Sequence, residues 1–557
     1  MKNIICKYIL VALAFMSVGL CSCSDDYMSD LNTDPSKATD IDPNAQLTYV
    51  QLYTYGSLDF IGVHRTYLYA FTQHLMGCWN TTNYGGRHTI TDDSMGSVFR
   101  RTYSQPMKEL VDAISRTDGD PAKVNVNAAL RIYRAYYISL VTDLYGDVPC
   151  SEAGLGYIEG NFTPRYDTQE EIYDWLFKEL SEAVAAMGTG EDAISGDVIY
   201  KGDVNKWKKF ANSLRLRYAM RISDVKPELA KAEFEAALNA DGGVISSSDE
   251  DAMIPYMEIS YSFGGDAYND YRGNALAKLF FGNDPTSNPT YMCSTFFNYM
   301  KDNDDPRTYR ICRCYYDGLM SLTNPEGRID LTDEIIAKGV KMSPRDPGAY
   351  WWEPWPTGYE SDIMKEVKKS YPDVTTYMES QTEPKLATNF LGNGTPGTVI
   401  TYAEVCFLKA EAAINGWNVG GSSSEFYNEG VREAMNFICD KYGSETITNA
   451  EIVAYLAEHP VGNTQEEKKK NINTQAWVLH FHNPFEAYAN VRRSGYPELK
   501  SPAEYGFRAF LTGGEEIPVR LCYPVLESSY NKTNYDEALA RMGGEDSWHT
   551  HVWWDVK

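Results

Sequence analysis

The stretch DVIYKGDVNKWKKFANSLRLRYAMRIS, residues 197–223, decides the fold. Asp203 has a short side chain that can accept from the unpaired N–H groups at a helix start, so it reads as an N-cap. Beyond it Trp207, Phe210, Ala211, Leu214, Tyr218 and Ile222 recur at spacings of three and four, one face of a helix. Further towards the N-terminus, Ile132, Tyr133, Tyr136, Leu140, Val141 and Leu144 repeat this pattern. Asp167 and Glu170 predict a capping box ahead of Ile172, Trp175, Leu176, Leu180, Ala183, Val184 and Met187. Towards the C-terminus a second helical block covers 402–417, 425–442, 449–459 and 465–481. Such apolar faces must be buried on one another. Helix pairs spaced about 30–45 residues apart predict a mainly α fold, a tetratricopeptide-like helical-repeat scaffold without a strict consensus repeat.

Between the two blocks the texture changes. Residues 242–398 are rich in Gly, Pro, Asn, Asp and Tyr, as in GGDAYNDYRGN (264–274), GNDPTSNP (282–289) and PRDPGAYWWEPWPTGY (344–359). Loops this long in a compact protein usually carry function. The whole chain has 557 residues with 43% hydrophobic and 23% charged, which fits a soluble globular body. Its formal charge of −26 repels phosphate polyanions and excludes nucleic acid as an expected partner. Aromatic residues make up 13%, including 41 Tyr and 11 Trp, more than a core requires.

Lys2 and Lys7 flank the start of an apolar run, YILVALAFMSVGL (8–20), too short to span a bilayer and laid out as a signal peptide. Leu20-Cys21-Ser22-Cys23 resembles a lipobox, with Cys23 as the acylated first residue of the mature chain and Ser22 as the small residue before the cut. Cleavage before Cys21 would place bulky Leu20 there. Ser24, Asp25 and Asp26 resemble a surface-export signal of lipoproteins. No later stretch approaches the ~18 apolar residues of a spanning helix, so acyl chains are the expected membrane attachment. The expected organisation is a signal peptide (1–22), an acylated tether (23–45), an N-terminal helical-repeat part (46–241), a loop-rich ligand-binding insertion (242–398) and a C-terminal helical part with tail (399–557), the last three in one body.

Several segments then point together. DLNTDPS (30–36), LVTDLYGDVPCSEA (140–153), YDTQEEIYDWLFKEL (166–180), the 197–223 stretch, the A-E-V-x-F-L-K-A-E-A run at 403–412 and RLCYPVLESSYNKTNYDEAL (520–539) resemble the SusD/RagB family of nutrient-binding outer-membrane lipoproteins. The resemblance implies a SusD-like fold, with the loop-rich insertion carrying the ligand surface. It implies a body seated as a lid on a SusC-like TonB-dependent outer-membrane barrel, and no enzyme activity or cofactor. The shared motifs are scaffold: Trp207, Leu214, Ala410 and Ala412 sit at helix-packing positions, and Gly146-Asp147-Val148-Pro149 reads as a turn ending a helix. Only Cys23, the lipid attachment, carries over as a functional residue.

Ligand contacts must therefore be read from the residues themselves. In 350–359 five of ten residues are aromatic, Trp351, Trp352 and Trp355 among them, interleaved with Pro354, Pro356 and Gly358. Such rings are flat platforms suited to the C–H faces of a pyranose, with neighbouring polar groups for its hydroxyls. The competing reading is that they pack the loop onto the helices or against the barrel partner. Trp79, Asn80 and Tyr84, in a run too polar for core, rank first among the candidates, and Tyr268, Asp270, Tyr271 and Arg272 form a third group. Oligosaccharide is the expected ligand, with RagB-like peptide capture as the alternative and a surface hydrolase as a third reading. His480-Phe-His482, His549-Thr-His551 and Cys312-Arg-Cys314 lack metal-site spacing, so no metal is expected. Asp302-Asn303-Asp304-Asp305 reads as a solvated turn, and Cys406, Cys439 and Cys522 as buried thiols.

Overall fold

In the computed structural model the Asp203 side chain accepts from the N–H groups of Asn205 and Lys206, and the helix it opens runs Val204–Arg221. Trp207, Phe210, Ala211, Leu214, Tyr218 and Ile222 are all buried, so the face read from spacing is the packed face. The structure describes residues 41–77, 81–259, 270–276, 291–316, 327–337, 344–349, 383–508 and 513–557, with the single positions 342, 369, 372 and 511.

Within these limits the chain is mostly helical. The larger helices are α1 (Pro43–Gly56), α2 (Leu58–Val63), α3 (Ser97–Ser104), α4 (Pro106–Thr117), α5 (Val124–Tyr145), α6 (Gln169–Ala186), α7 (Val204–Arg221), α8 (Pro227–Leu238), α9 (Ser294–Asp302), α10 (Tyr402–Ile414), α11 (Ser423–Tyr442), α12 (Asn449–Glu458), α13 (Gln465–Leu479), α14 (Pro484–Ser494) and α15 (Lys532–Arg541). Sequence neighbours pack as pairs, α5 with α6, α6 with α7, α7 with α8 and α10 with α11, while α7 against α10 joins the N- and C-terminal blocks. Pro43–Lys557 forms one compact unit.

Strands among the described residues are short: β1 (Leu75–Met76), β2 (Ala252–Ile254), β3 (Tyr291–Met292), β4 (Cys312–Arg313), β5 (Tyr315–Tyr316), β6 (Ile329–Asp330), β7 (Lys385–Leu386) and β8 (Gly397–Ile400). Four make an antiparallel sheet in the order β1-β3-β7-β4, and β2–β8 and β5–β6 are separate pairs. The sheet ties β1, in the N-terminal helical part, to three strands from the region with loop texture.

Several expectations need correction. The cap of α6 is Thr168, whose hydroxyl accepts from Glu171 N–H while Glu171 reaches back to the Thr168 N–H. Asp167 instead accepts from Cys150 and Ser151 N–H, each at 2.9 Å, holding the 148–151 turn against the helix start. Helix α5 buries far more than one face, because α4, α6, α7 and α1 surround it. Asp305 is buried rather than solvated, since Arg307 clasps it with two bonds of 2.9 and 2.6 Å. Cys406 is buried as expected, whereas Cys439 and Cys522 are only half-buried.

A buried polar spine crosses the helical interface. Arg217 donates to both oxygens of Glu404 at 2.6 and 2.8 Å, and Arg221 to both oxygens of Glu486 at 2.7 Å. Arg221 also lies 3.3 Å from Asp143, whose other oxygen accepts from Tyr173 OH and from Trp554 Nε1. The Trp554 ring is flanked by the guanidiniums of Arg221 at 5.5 Å and Arg492 at 4.8 Å. The C-terminal tail thus reaches the centre of the molecule.

Candidate functional site

Helix α2 is capped by Ser57, whose side chain accepts from Phe60 N–H. It runs on into a π-helical turn, His64–Leu68, and a final turn, Tyr69–Phe71. A second π-helical turn, Thr82–Gly86, packs on the first. The approach needs glycine: a Cβ on Gly85 would fall 2.8 Å from the Thr66 carbonyl oxygen and 2.9 Å from Ala70 Cβ. Widened helical turns are rare and concentrate at functional sites, and two lie here side by side.

The second π-turn carries Tyr84, half-buried, with its ring 6.3 Å from that of Tyr67. Thr81 and Thr82 are fully buried, which corrects the reading of this run as too polar for core. Burial is tolerable for Thr82 because its hydroxyl donates to the Gly77 and Ala349 carbonyls. Gly348, at φ +82°, sits so close that a Cβ would lie 2.9 Å from the Gly86 carbonyl oxygen. The chain that enters the 350–359 aromatic run therefore departs from the π-turn bearing Tyr84. Trp79, Asn80, Trp351, Trp352 and Trp355 themselves lie outside the described residues.

The sheet anchors this junction. Arg345 N–H donates to the Met292 carbonyl, Ser294 N–H donates to the Arg345 carbonyl, and the buried Arg345 guanidinium lies 4.2 Å over the Tyr291 ring. Lys385, also buried, lies 4.6 Å over Tyr315.

The third candidate group lies at the other end of α2. Tyr271 is half-buried and edge-on to Tyr49 and Tyr53 of α1, at 5.8 and 5.1 Å. Its backbone presses on Gly56, where a Cβ would meet the Tyr271 carbonyl oxygen. Burial first, and the nearby Asp59 carboxylate second, raise the Tyr271 phenol, so it is a neutral hydrogen-bonding group at physiological pH. Arg272 is exposed and grips Asp270 through Nε and Nη2 at 2.9 and 2.6 Å. Tyr268 lies outside the described residues. The structure thus places Tyr84 and Tyr271 towards opposite ends of one helical rod, 58–71, roughly 20 Å long at 1.5 Å per residue. Between them Gly62 faces open space.

One feature escaped the sequence. An open polar groove of about 560 Å³ is lined by Tyr256, Glu258, Asn389, Thr395, Lys441 and Tyr442. Three distant segments build it, so no local motif announces it. Both tyrosine hydroxyls are committed to backbone, Tyr256 donating to Leu52 and Tyr442 to Pro396.

Glu404, His480 and Glu486 place ligand-type atoms within 4.8 Å of one another. This arrangement does not suit a cation, because Arg217 and Arg221 already neutralise both carboxylates. Burial holds His480 down to about 3, and all three residues are buried.

With this geometry in view, comparisons with known proteins are informative. Residues 37–324 match a family described as starch-binding and associating with the outer membrane, and 364–555 match one described as SusD and RagB outer-membrane lipoprotein. The chain belongs to the SusD/RagB family. A solved Bacteroidetes AC2a SusD-like structure is 47% identical, covering 93% of this chain and all of the other, with a TM-score of 0.86. A solved chitin-binding protein is 32% identical over the same share of this chain and all of its own, with a TM-score of 0.75. A SusD homologue from Bacteroides uniformis is 25% identical, again over 93% of this chain and all of its own, with a TM-score of 0.70. Among curated proteins none matches significantly. This SusD/RagB member is thus of an outer-membrane lipoprotein family, and among its described residues no helix is long and apolar enough to cross a membrane.

Proposed function

We propose that this SusD/RagB member is a surface-exposed lipoprotein, anchored through Cys23, that captures oligosaccharides and passes them to a SusC-like TonB-dependent barrel. The observation that carries the reading is the junction of the paired π-turns with the root of the 350–359 aromatic run. Thr82 and Ala349, 267 residues apart in sequence and each next to one of the two aromatic segments in the chain, are bonded to each other there on a sheet-anchored base. Tyr84 and Tyr271, spaced along a helical rod about as long as a short oligosaccharide, give stacking surfaces, with Arg272 and Asp270 able to bond hydroxyls. Trp79, Asn80, Tyr268, Trp351, Trp352 and Trp355 complete the proposed contact set. The starch-binding description of the family and the chitin-binding name of the 32% relative support a glycan as ligand. No step of bond making is proposed, since binding and release suffice for delivery.

Calorimetry of residues 24–557 against neutral oligosaccharides and against peptides tests the reading. Glycan binding is expected, weakened about five- to twentyfold by Tyr271→Ala, the cost of one lost aromatic platform. Binding to peptides with none to any glycan would replace it with peptide capture. For the anchor, radiolabelled palmitate should enter the wild type and be absent from Cys23→Ala.

A further inference from the structure

The open polar groove of about 560 Å³ is built from three segments, each fastened from behind. Glu258 Oε1 accepts from Gly394 N–H at 2.7 Å, in a turn so tight that a Cβ on Gly392 or Gly394 would meet the same carboxylate oxygen at 2.7 or 2.9 Å. Asn389 Nδ2 donates to the Tyr442 carbonyl at 3.1 Å and to Ser444 Oγ at 2.9 Å. Lys441 Nζ donates to the Ser248 carbonyl at 2.7 Å. These bonds fix the side chains without exhausting them. The second Glu258 oxygen and the Asn389 amide oxygen remain as acceptors, with the Lys441 ammonium as a donor, so a ligand meets groups that are already in place.

We propose that this groove is a saccharide subsite that extends the binding surface around Tyr271 to a longer glycan chain; the class of ligand rests on the preceding reading. Continuity is the first argument. Tyr256 and Glu258 flank Met257, whose N–H donates to the Arg272 carbonyl at 2.8 Å, and Asn274 N–H donates to the Asn393 carbonyl at 2.7 Å. Tyr256 and Tyr271 also rest on the same end of α1, the Tyr256 hydroxyl bonding the Leu52 carbonyl and the Tyr55 N–H while the Tyr271 backbone lies against Gly56. The groove and the side chains of Asp270 and Arg272 therefore stand on segments bonded side by side, within reach of one oligosaccharide.

Chemistry is the second argument. A carboxylate, an ammonium, an amide and the hydroxyl of Thr388 offer donors and acceptors together, and the apolar surface is mainly that of Tyr256, Tyr442 and Pro396. That balance suits the hydroxyls of a neutral sugar ring. A peptide would need apolar pockets for its side chains, and a ligand of either net charge would meet a like charge here. The third argument lies behind the wall. Thr395, Pro396 and Tyr442 also line a small cavity of about 20 Å³, room for a water-sized group, together with His482. His482 is buried, and neither of its ring nitrogens bonds to another described residue. Buried polar atoms of this kind are completed by a water or a ligand oxygen, which marks this wall as one built to meet polar groups.

The test titrates the full mature lipoprotein, held in a detergent without a sugar headgroup, with ladders of maltooligosaccharides and chitooligosaccharides from the disaccharide upward. The two series follow from the starch-binding description of the family and the chitin-binding name of the relative. Calorimetric affinity should rise about tenfold or more from the shortest chain that binds to the longest, the worth of two or three further hydrogen bonds. The variant Glu258→Gln/Thr388→Arg removes the charged acceptor and fills the groove from an exposed position, so its melting temperature should stay within a few degrees of wild type. It should bind the longest chain no more tightly than wild type binds the shortest, with short-chain affinity unchanged. Glu258→Gln alone, which keeps an acceptor for Gly394, should lose about threefold on the longest chain and nothing on the shortest. Equal wild-type affinity at every length, a variant that keeps the gain with length, or a variant that loses equally at every length would each overturn the subsite while leaving oligosaccharide capture standing. A wild type that binds no glycan would overturn both, and peptide binding lost in the variant would then assign the groove to peptide.

Discussion

Arg217 shows how much a single residue can carry. It stands on α7 with its guanidinium fully buried, bonded to both Glu404 oxygens and to the Val399 carbonyl at 2.7 Å. Removing it strands a buried carboxylate. Arg217→Met should cost about 3–5 kcal/mol in urea unfolding, the usual penalty for breaking a buried pair from one side. Arg217→Lys should recover only part of this, because an ammonium cannot make the two-pronged contact. The residue was illegible from sequence. An arginine inside an amphipathic pattern reads as solvent-facing, and its partner lies 187 positions away. Trp207, Phe210 and Leu214 on the same helix were legible because periodicity reports apolar burial directly. Tyr271 was only half legible: its aromatic character was plain, but its contact with Tyr49 and Tyr53 depends on how α1 meets a distant loop.

At the scale of elements, helix ends separate what local chemistry determines from what it leaves open. Helices α11, α12 and α13 begin with the capping boxes Ser422/Glu425, Thr448/Glu451 and Thr464/Glu467. Before α6, D-x-x-E and T-x-x-E overlap one residue apart, and nothing in the sequence chooses between them. Thr168→Ala should lower stability by about 1 kcal/mol, the ordinary loss of a cap. Asp167→Ala should lower it by about 2–3 kcal/mol, because it leaves the buried Cys150 N–H, the partly buried Ser151 N–H and the Ser151 hydroxyl without their acceptor. Equal losses in paired thermal melts would contradict this assignment. Two-residue strands such as β1, β3 and β7 are too short to show alternation, so the sheet beneath the candidate site could not be anticipated even where the loop texture above it could.

For the whole molecule the buried histidines set the response to acid. Burial lowers His64, His74 and His480 to about 3 and His88 to about 4, and carries His482 well below its ordinary value. Each is neutral when folded, while its unfolded counterpart takes up a proton near pH 6.5. Their contribution is present above that pH and is lost as pH falls towards 4, by up to about 1.4 kcal/mol per pH unit for each ring. Asp251 and Glu404 act in the opposite sense. Burial raises each to about 7, so their neutral forms favour the fold below about pH 4 and this contribution is lost as pH rises through 7. Five rings outweigh these two carboxyls. The urea midpoint should fall steadily from pH 7 to 5, and a flat or rising profile would show that these rings are protonated in the folded state.

The placement of Trp554 makes the 553–557 segment part of the interior. This indole bonds Asp143 at the heart of the molecule between the arginines of α7 and α14. A segment that seals a charged centre acts as a keystone and not as an appendage. Deleting 553–557 should leave a polypeptide that is cut rapidly by proteases under conditions in which the intact protein resists them.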